Sequence, residues 1–288
     1  MAAAVVLKSG REDPGGASII VGTYNDIDIL PASLAAFTVQ SFRNFELVIA
    51  DDGSSQNYGP LLKEWAPRIQ HGIQHVAHEK HGFRKARILN RAIHVSRFDT
   101  LIFIDMDCLP HHDFVRNHML YAAPRTAIIG RRAHLRREVI PPPLRILERG
   151  LGFNLRSLLR LWLQDKARVV EHGFVSPIFY ESSNHSLQGS NFSVNRSDLV
   201  AVNGFNENFE GWGKEDMELG VRLEFSRVKI RNLRNKVIQY HLVHDRLSQE
   251  NPESDCIFDQ TVATRTIRAP IGLAEIREGD FSLKRYRT

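Results

Sequence analysis

The stretch Leu101-Ile102-Phe103-Ile104-Asp105-Met106-Asp107 decides the fold class of this 288-residue chain. Its apolar residues predict a buried strand, and two carboxylates follow where that strand ends. Helical patterns separate this strand from three earlier apolar runs. The alternation predicts an α/β fold with a mainly parallel, Rossmann-like sheet and helices on both faces. The predicted strands are residues 18–23, 45–50, 73–77 and 100–104, and the helices lie after Pro31 and over 58–65 and 82–95.

Polar residues follow three of the four predicted strands. Thr23-Tyr24-Asn25 follows the first, Asp51-Asp52-Gly53 the second and Asp105-Met106-Asp107 the fourth. Ligands of such sheets bind at the carboxyl ends of the strands. A divalent cation held by one or two carboxylates can complete its shell with phosphate oxygens. An isolated Asp-x-Asp often only ends a strand, but the three strand ends together predict a site for a phosphate-bearing substrate.

Two further clusters have both a functional and a structural interpretation. On the predicted helix 82–95, Arg84, Arg87 and Arg91 share one face, which suits a diphosphate as well as plain solvation. In the loop before the predicted helix 215–225, Trp212 offers a ring for sugar stacking and the acids that follow can accept a proton. Acids at such a position also occur simply because the helix dipole favours them. In the same half, strands are predicted over 188–194 and within 228–240.

Charge is unevenly distributed along the chain. Residues 131–170 contain ten Lys and Arg against three acids, a charge of +7 within a total of +5. Their leucines and arginines suit an anionic lipid surface, and packing of the leucines on the core or a second subunit fits equally well. Two cysteines suggest a reducing, cytoplasmic compartment, and we expect neither a secretory signal nor a membrane-spanning helix. Nucleic acid is not expected, because the basic residues are not interleaved with stacking aromatics.

In this order and spacing, the motifs resemble family 2 nucleotide-sugar glycosyltransferases of the GT-A fold. Gly211-Trp212-Gly213-Lys214-Glu215-Asp216-Met217-Glu218 is similar to a block of the β-1,4-galactosyltransferase and chondroitin-polymerase branch. Met217 departs from the acidic residue of the galactosyltransferases and leaves the particular sugars open. The resemblance covers residues 17–250. It implies one GT-A domain over 17–265 with a smaller acceptor-side subregion, a variable basic insertion at 131–185, and tails at 1–16 and 266–288.

The resemblance also implies a site. Asp107 would bind Mn²⁺ or Mg²⁺ with His244, or alternatively with His241. Asp216 would be the catalytic base and Glu215 would hold a sugar hydroxyl. The expected donor contacts are Thr23, Tyr24, Asn25, Asp52, Gly53, Arg84, Arg87, Asp105 and Met106, and the expected acceptor contacts are Gly211, Trp212 and Asn191.

The implied reaction is an inverting, metal-dependent transfer of a sugar. The donor would be a nucleotide sugar, with UDP expected, and the acceptor a hydroxyl of a glycan or a lipid-linked saccharide in surface polysaccharide or lipopolysaccharide synthesis. The enzyme would act in the cytoplasm, with peripheral contact at the inner face of the membrane through 131–170, and an oligomer is compatible. Two alternatives remain: a sugar-nucleotide nucleotidyltransferase, although residues 22–25 are not its glycine-rich triphosphate loop, and a non-catalytic basic protein that binds membranes or nucleic acid.

Overall fold

An eight-stranded sheet forms the centre of the structure, which is a computed structural model. It describes residues 15–152, 156, 160, 161, 163, 164, 166–168, 187, 189–233, 236–242 and 251–287. The strands are β1 (Ala17–Thr23), β2 (Phe45–Asp51), β3 (Ile73–Ala77), β4 (Thr100–Asp105), β5 (Cys108–Pro110), β6 (Thr126–Ile129), β7 (Arg131–Leu135), β8 (Ala167–Arg168), β9 (Asn191–Asn195), β10 (Lys229–Asn232), β11 (Ile238–Leu242) and β12 (Ser282–Tyr286).

The helices cover both faces of this sheet. They are α1 (Leu30–Thr38), α2 (Gly59–Trp65), α3 (Lys85–Val95), α4 (Phe114–Tyr121), α5 (Pro143–Arg149), α6 (Arg196–Ala201), α7 (Glu215–Phe225) and α8 (Pro252–Thr264), with short 3₁₀ turns at Ala66–Arg68, Arg137–Val139 and Leu273–Glu275. Every residue of β1 and β2 is buried. Ile19 and Val21 pack into the core on one face, whereas Ile20 packs into the core on the other. This two-sided burial explains why these strands are continuous apolar runs in the sequence.

The strand order of the main sheet is β10-β6-β9-β4-β1-β2-β3-β12. The four predicted amino-terminal strands form its parallel centre, with β1 between β2 and β4. Strand β9 is antiparallel to both β4 and β6, and β12 is antiparallel to β3. The carboxyl ends of β1, β2 and β4 therefore meet at one edge, as the sequence predicts.

A second sheet of four strands, in the order β5-β11-β7-β8, stands beside this edge. Strand β5 begins directly after the Asp-x-Asp motif and pairs antiparallel with β11, with Cys108 opposite His241. Strand β7 pairs parallel with β11 on its other side. This sheet joins the motif after β4 to the carboxyl-terminal half of the chain.

The predicted insertion at 131–185 and the predicted tail at 266–288 both contain regular secondary structure. Strand β7 belongs to the region predicted as a variable insertion at 131–185. Residues 266–288 are predicted to be a tail, yet their strand β12 is an edge strand of the main sheet. The division into 1–16, 17–265 and 266–288 stays a prediction. Among the described residues, no helix has the length and hydropathy needed to span a bilayer.

Candidate active site

Lys85 and Asp105 form the centre of the site. Gly22 pairs with Asp105 in the register of β1 and β4, and the first turn of α3 brings Lys85 Nζ within 2.6 Å of Asp105 Oδ1. Burial alone would lower the pKa of Lys85, but the negative charges of Asp105, Glu215 and Asp216 outweigh that effect and raise this pKa. Lys85 therefore stays protonated and holds acidic groups from distant parts of the chain together.

Glu215 and Asp216 approach this lysine from the amino terminus of α7. The preceding residues Gly213 and Lys214 have φ values of 119° and 64°, which turn the chain sharply into the helix. Asp216 Oδ2 accepts a hydrogen bond of 2.5 Å from the Gly189 amide, and its Oδ1 accepts one of 2.7 Å from the Met217 amide. These bonds fix the orientation of the Asp216 carboxylate.

The two acids have raised pKa values for the same main reason. Burial disfavours their charged forms, and it raises the pKa of Glu215 to about 7, with the adjacent Asp216 charge adding to the effect and Lys85 opposing it. The pKa of Asp216 is also raised by burial, against the hydrogen bond from Gly189 and the charge of Lys85. Glu215 therefore exchanges a proton near neutral pH, and the raised pKa of Asp216 makes its carboxylate a stronger proton acceptor than an exposed aspartate.

A candidate metal centre lies at Asp107, two residues after Asp105. Asp107 Oδ2 is 3.2 Å from His241 Nε2, and both side chains are partly exposed. The Cys108 sulfur completes a group whose three potential ligand atoms lie within 4.8 Å of one another. A carboxylate and an imidazole at the rim of a cleft suit a borderline divalent cation such as Mn²⁺. His244 lies outside the described residues, so of the two predicted histidines the structure positions His241.

The end of β2 supports a separate pocket around Asp52. Its Oδ1 is 2.7 Å from His78 Nε2 and its Oδ2 accepts a 2.8 Å bond from Lys80 Nζ. Burial would raise the pKa of Asp52, but the hydrogen bonds from His78 and Lys80 dominate and lower it. Lys80 Nζ also lies 3.6 Å from the centre of the Tyr24 ring, which is 44% exposed. Lys80 therefore links the ionised Asp52 carboxylate, a residue that is 3% exposed, to the exposed ring of Tyr24.

The loops after β1 and β2 are tied together beneath this pocket. The amide of Asn25 donates to Ser54 Oγ at 2.8 Å, and the amide of Ser55 donates to Asn25 Oδ1 at 2.9 Å. Thr23 Oγ1 is 3.2 Å from the hydroxyl of Tyr58. At Gly53, where φ is 82°, a Cβ would come within 2.8 Å of the Lys80 backbone. Glycine is thus required where the second loop passes the lysine.

Comparison with known families identifies this arrangement. The model of glycosyl transferase family 2 matches residues 18–171, more than half of the chain. The chain belongs to glycosyl transferase family 2. A second family model, described as the N-terminal domain of galactosyltransferase, matches residues 172–245 and so includes Glu215, Asp216 and His241. The predicted family and its galactosyltransferase-like block are confirmed.

Individual relatives agree with this family. Hyaluronan synthase of Pasteurella multocida is 27% identical over 224 residues, 72% of this chain and 22% of that protein. Beta-1,4-galactosyltransferase 4 of Homo sapiens is 26% identical over 195 residues, 65% of this chain and 43% of that protein. The chain spans about a fifth to a half of the length of the curated relatives it matches most strongly.

Solved structures confirm the predicted GT-A fold. The crystal structure of S. aureus TarS 1–349 in complex with UDP-GlcNAc superposes with a TM-score of 0.60 at 16% sequence identity. The match covers 90% of this chain and 68% of that chain. At 16% identity this similarity establishes the fold alone, so the roles of the site residues are argued from their contacts in this structure.

Within this family 2 fold, several predicted site residues lie close to one another, and their roles stay predictions. Asp105, Glu215 and Asp216 come together around Lys85, Asp107 lies beside His241, and Tyr24 and Asp52 both contact Lys80. The Gly211 amide donates a 2.9 Å bond to the Phe83 carbonyl, which brings the loop before α7 to the start of α3. Trp212 on this loop is 40% exposed, so its ring is available to a sugar.

Other predicted contacts are enclosed. The Met106 side chain is 1% exposed and packs in the core, and its amide donates to the Gly22 carbonyl at 2.8 Å. Asn191 is 1% exposed; its Nδ2 donates to the Val237 carbonyl and its Oδ1 lies 3.2 Å from His118 Nε2. Contact between the Asn191 amide and an acceptor would require these bonds to break.

The predicted basic face of α3 serves two different purposes. Arg84 contributes its backbone amide to Asp52 at 3.2 Å, while its guanidinium bonds the Glu79 carbonyl. Arg91 is buried and pairs with Glu207, and with Asp280 at 3.1 Å. Arg87 lies 3.9 Å from the same Asp280. Neither solvation nor donor binding describes Arg91, which anchors α3 to the carboxyl-terminal segment.

Sequence reasoning missed Lys85 and His78. Lys85 is one of four basic residues in eight, and helical spacing alone favours the arginines that lie three and four positions apart. His78 follows β3 in a polar stretch that gives no period. The predicted parallel pairing of β2 and β3 could have identified His78, because it places the residues after β3 beside Asp52 after β2.

Proposed function

We propose that this protein transfers a sugar from a nucleotide sugar to an acceptor hydroxyl. The observation that carries the proposal is the convergence on Lys85 of Asp105 after β4 with Glu215 and Asp216 at the start of α7, while Asp107 lies beside His241. His241 is the proposed metal ligand beside Asp107, and burial raises the pKa of Glu215 to about 7. A transferase of this kind needs these two functions a few ångströms apart, one for the leaving group and one for the nucleophile.

The pocket around Asp52 is the proposed site of the nucleobase. Because its pKa is lowered, Asp52 is an ionised, acceptor-only group at neutral pH. It can accept the N3–H of uracil, whereas the corresponding N3 of cytosine is itself an acceptor. The exposed ring of Tyr24 supports stacking of the base. These properties favour a UDP-sugar, the donor class named in the TarS complex.

Asp107 and His241 would hold the metal ion, and Mn²⁺ fits their mixed oxygen and nitrogen donors better than Mg²⁺. When bound, such an ion neutralises negative charge on the departing diphosphate. Lys85 would supply a further positive charge to the site, beside Asp105, Glu215 and Asp216. Asp105 holds this lysine in place at 2.6 Å, so donor binding and the orientation of Lys85 are linked.

Asp216 is the proposed general base. Its carboxylate takes the proton of the acceptor hydroxyl while that oxygen forms a bond to the anomeric carbon, and the bond from this carbon to the phosphate oxygen breaks with its electron pair leaving on UDP. The two amides from Gly189 and Met217 keep the carboxylate aimed. Glu215 lies beside it to hold a sugar hydroxyl. A single displacement of this kind inverts the anomeric configuration, so an α-linked donor gives a β-linked product.

A glycan or a lipid-linked saccharide is the proposed acceptor, in the synthesis of a surface polysaccharide or lipopolysaccharide. Residues 131–170 support contact with the cytoplasmic face of a membrane, since Leu144 and Leu163 are 74% and 72% exposed beside exposed Arg145 and Arg149. Anionic vesicles should retain the wild-type protein and release the Arg145→Gln/Arg149→Gln variant. Failure of the vesicles to retain either protein would instead favour a protein partner, such as a second copy, on these leucines.

The function is tested without a known acceptor. Purified protein is incubated with Mn²⁺ and a panel of UDP-, GDP-, ADP- and CDP-sugars, and slow release of the nucleotide by water is measured. We expect release from at least one UDP-sugar and none in excess EDTA. Pyrophosphate release from a nucleoside triphosphate and a sugar phosphate would instead identify a nucleotidyltransferase.

A further inference from the structure

Strand β7 carries basic side chains on the face that it shares with the metal centre. In its parallel register with β11, Arg132 lies opposite Gln239 and His134 opposite His241. The alternate residues Ala133 and Leu135 are each 1% exposed in the core. Because successive side chains of a strand point to opposite faces, Arg132 and His134 face away from the core. Arg136 follows in extended conformation and continues the alternation. We call Arg132, His134 and Arg136 the β7 basic row.

The row begins between the two halves of the active site. Arg132 Nη1 is 3.5 Å from Ser190 Oγ, and Ser190 follows Gly189, whose amide holds Asp216. The ring of His134 contacts the ring of His241 edge to face, with the centroids 5.1 Å apart. One end of the row therefore adjoins both the proposed base and the proposed metal ligand.

The other end of the row reaches the surface. Arg132 and His134 are partly exposed and Arg136 is exposed. At about 3.3 Å per residue, the row extends for ~13 Å, farther than one diphosphate. In the proposed function, the donor diphosphate is bound by Lys85 and by the metal ion that Asp107 and His241 would hold. The row starts beside the proposed base and runs outward to Arg136 at the surface, a path that an entering acceptor can follow.

We propose that the β7 basic row binds phosphate groups on the acceptor, such as the diphosphate that joins a saccharide to a lipid or a phosphate within an anionic glycan. This inference rests on the proposed function. Arginine suits this ligand because its planar donors bind phosphate oxygens in pairs. The acceptor phosphate would lie along β7 while the acceptor hydroxyl points to Asp216.

The test uses protein saturated with UDP and Mn²⁺, so that the donor subsite is filled. Binding of geranyl diphosphate and of inorganic diphosphate is measured by calorimetry for the wild type and for Arg132→Gln, Arg136→Gln and Arg116→Gln. Arg116 on α4 is the control. Its side chain is 66% exposed, and its distance of 3.9 Å from Asp113 makes their ion pair a weak one. Arg136→Gln guards against a folding defect, because this side chain is on the surface. The UDP affinity of each variant is measured in parallel.

We expect Arg132→Gln and Arg136→Gln each to weaken binding of geranyl diphosphate roughly tenfold and binding of UDP by a smaller factor, with no change in Arg116→Gln. Tighter binding of geranyl diphosphate than of inorganic diphosphate would indicate a lipid-linked source, and equal binding would indicate phosphate alone. Absence of binding to the wild type, or equal loss of UDP and geranyl diphosphate affinity, overturns the proposal. If the wild type also releases no nucleotide from any donor, the proposed function fails as well; release without diphosphate binding refutes only this inference.

Discussion

Replacing Glu215 with Gln should stabilise the protein above neutral pH. The folded protein raises the pKa of Glu215 from its ordinary value of 4.5 to about 7, first through burial and then through the charge of Asp216. Because the raised pKa means that the folded state binds this proton more tightly than the unfolded state, stability falls as pH rises from 4.5 to 7 and stays reduced above it. The full shift corresponds to about 3 kcal/mol.

The assay is urea unfolding at pH 5 and at pH 8.5, in EDTA and without donor. At pH 5 the Glu215 penalty is below ~1 kcal/mol, so Glu215→Gln should change the free energy of unfolding little. At pH 8.5 we expect a gain of about 2 kcal/mol, less than the full shift because the buried amide retains part of the desolvation cost. Glu224→Gln, an exposed position on the same helix, controls for helix propensity and should show no pH-dependent difference. A Glu215→Gln effect that is the same at both pH values would refute the reasoning.

Substitutions at three further positions test the site. Asp216→Asn keeps the shape of the side chain but removes the base, so transfer should slow by ~10²–10⁴-fold; a wild-type rate would exclude that role. Asp107→Ala should abolish Mn²⁺-stimulated nucleotide release, as should excess EDTA on the wild type, and full turnover in EDTA would rule out a metal requirement. Lys85→Met should weaken UDP binding at least tenfold, with partial recovery in Lys85→Arg. Unchanged UDP affinity by calorimetry would limit Lys85 to a structural contact with Asp105.

The parallel half of the fold is readable from sequence because its strands are buried on both faces. Residues 18–23, 45–50 and 100–104 are mainly apolar, whereas 73–77 also contains Gln74 and His75, and each segment lies within one residue of the observed strand. Strands of the second sheet give no such signal. β7 alternates Arg132, Ala133, His134 and Leu135, a half-buried pattern that is hidden among the surrounding arginines.

The acidic members of the candidate site were accessible for a related reason. Asp52, Asp105 and Asp107 stand at strand ends, and topology brings strand ends together. Lys85 and Asn191 could not be assigned in this way, because their roles depend on which neighbour fills the space around them. Asn191 is predicted to contact the acceptor sugar from its place in the order of motifs, but its side-chain amide is hydrogen-bonded to Val237 and His118. Sequence periodicity does not report such pairings.

The position of β9 has a consequence for how this protein could be divided or recombined. The two family models meet at residues 171 and 172, which suggests a natural cut point. In the sheet, however, β9 from the second segment lies between β4 and β6 of the first, and β10 from the second borders β6. A fragment ending at 171 would leave β4 and β6 apart, with unpaired backbone edges prone to aggregation. Chimeras between relatives should therefore exchange loops at the carboxyl edge of the sheet, and the two fragments should gain structure only when mixed.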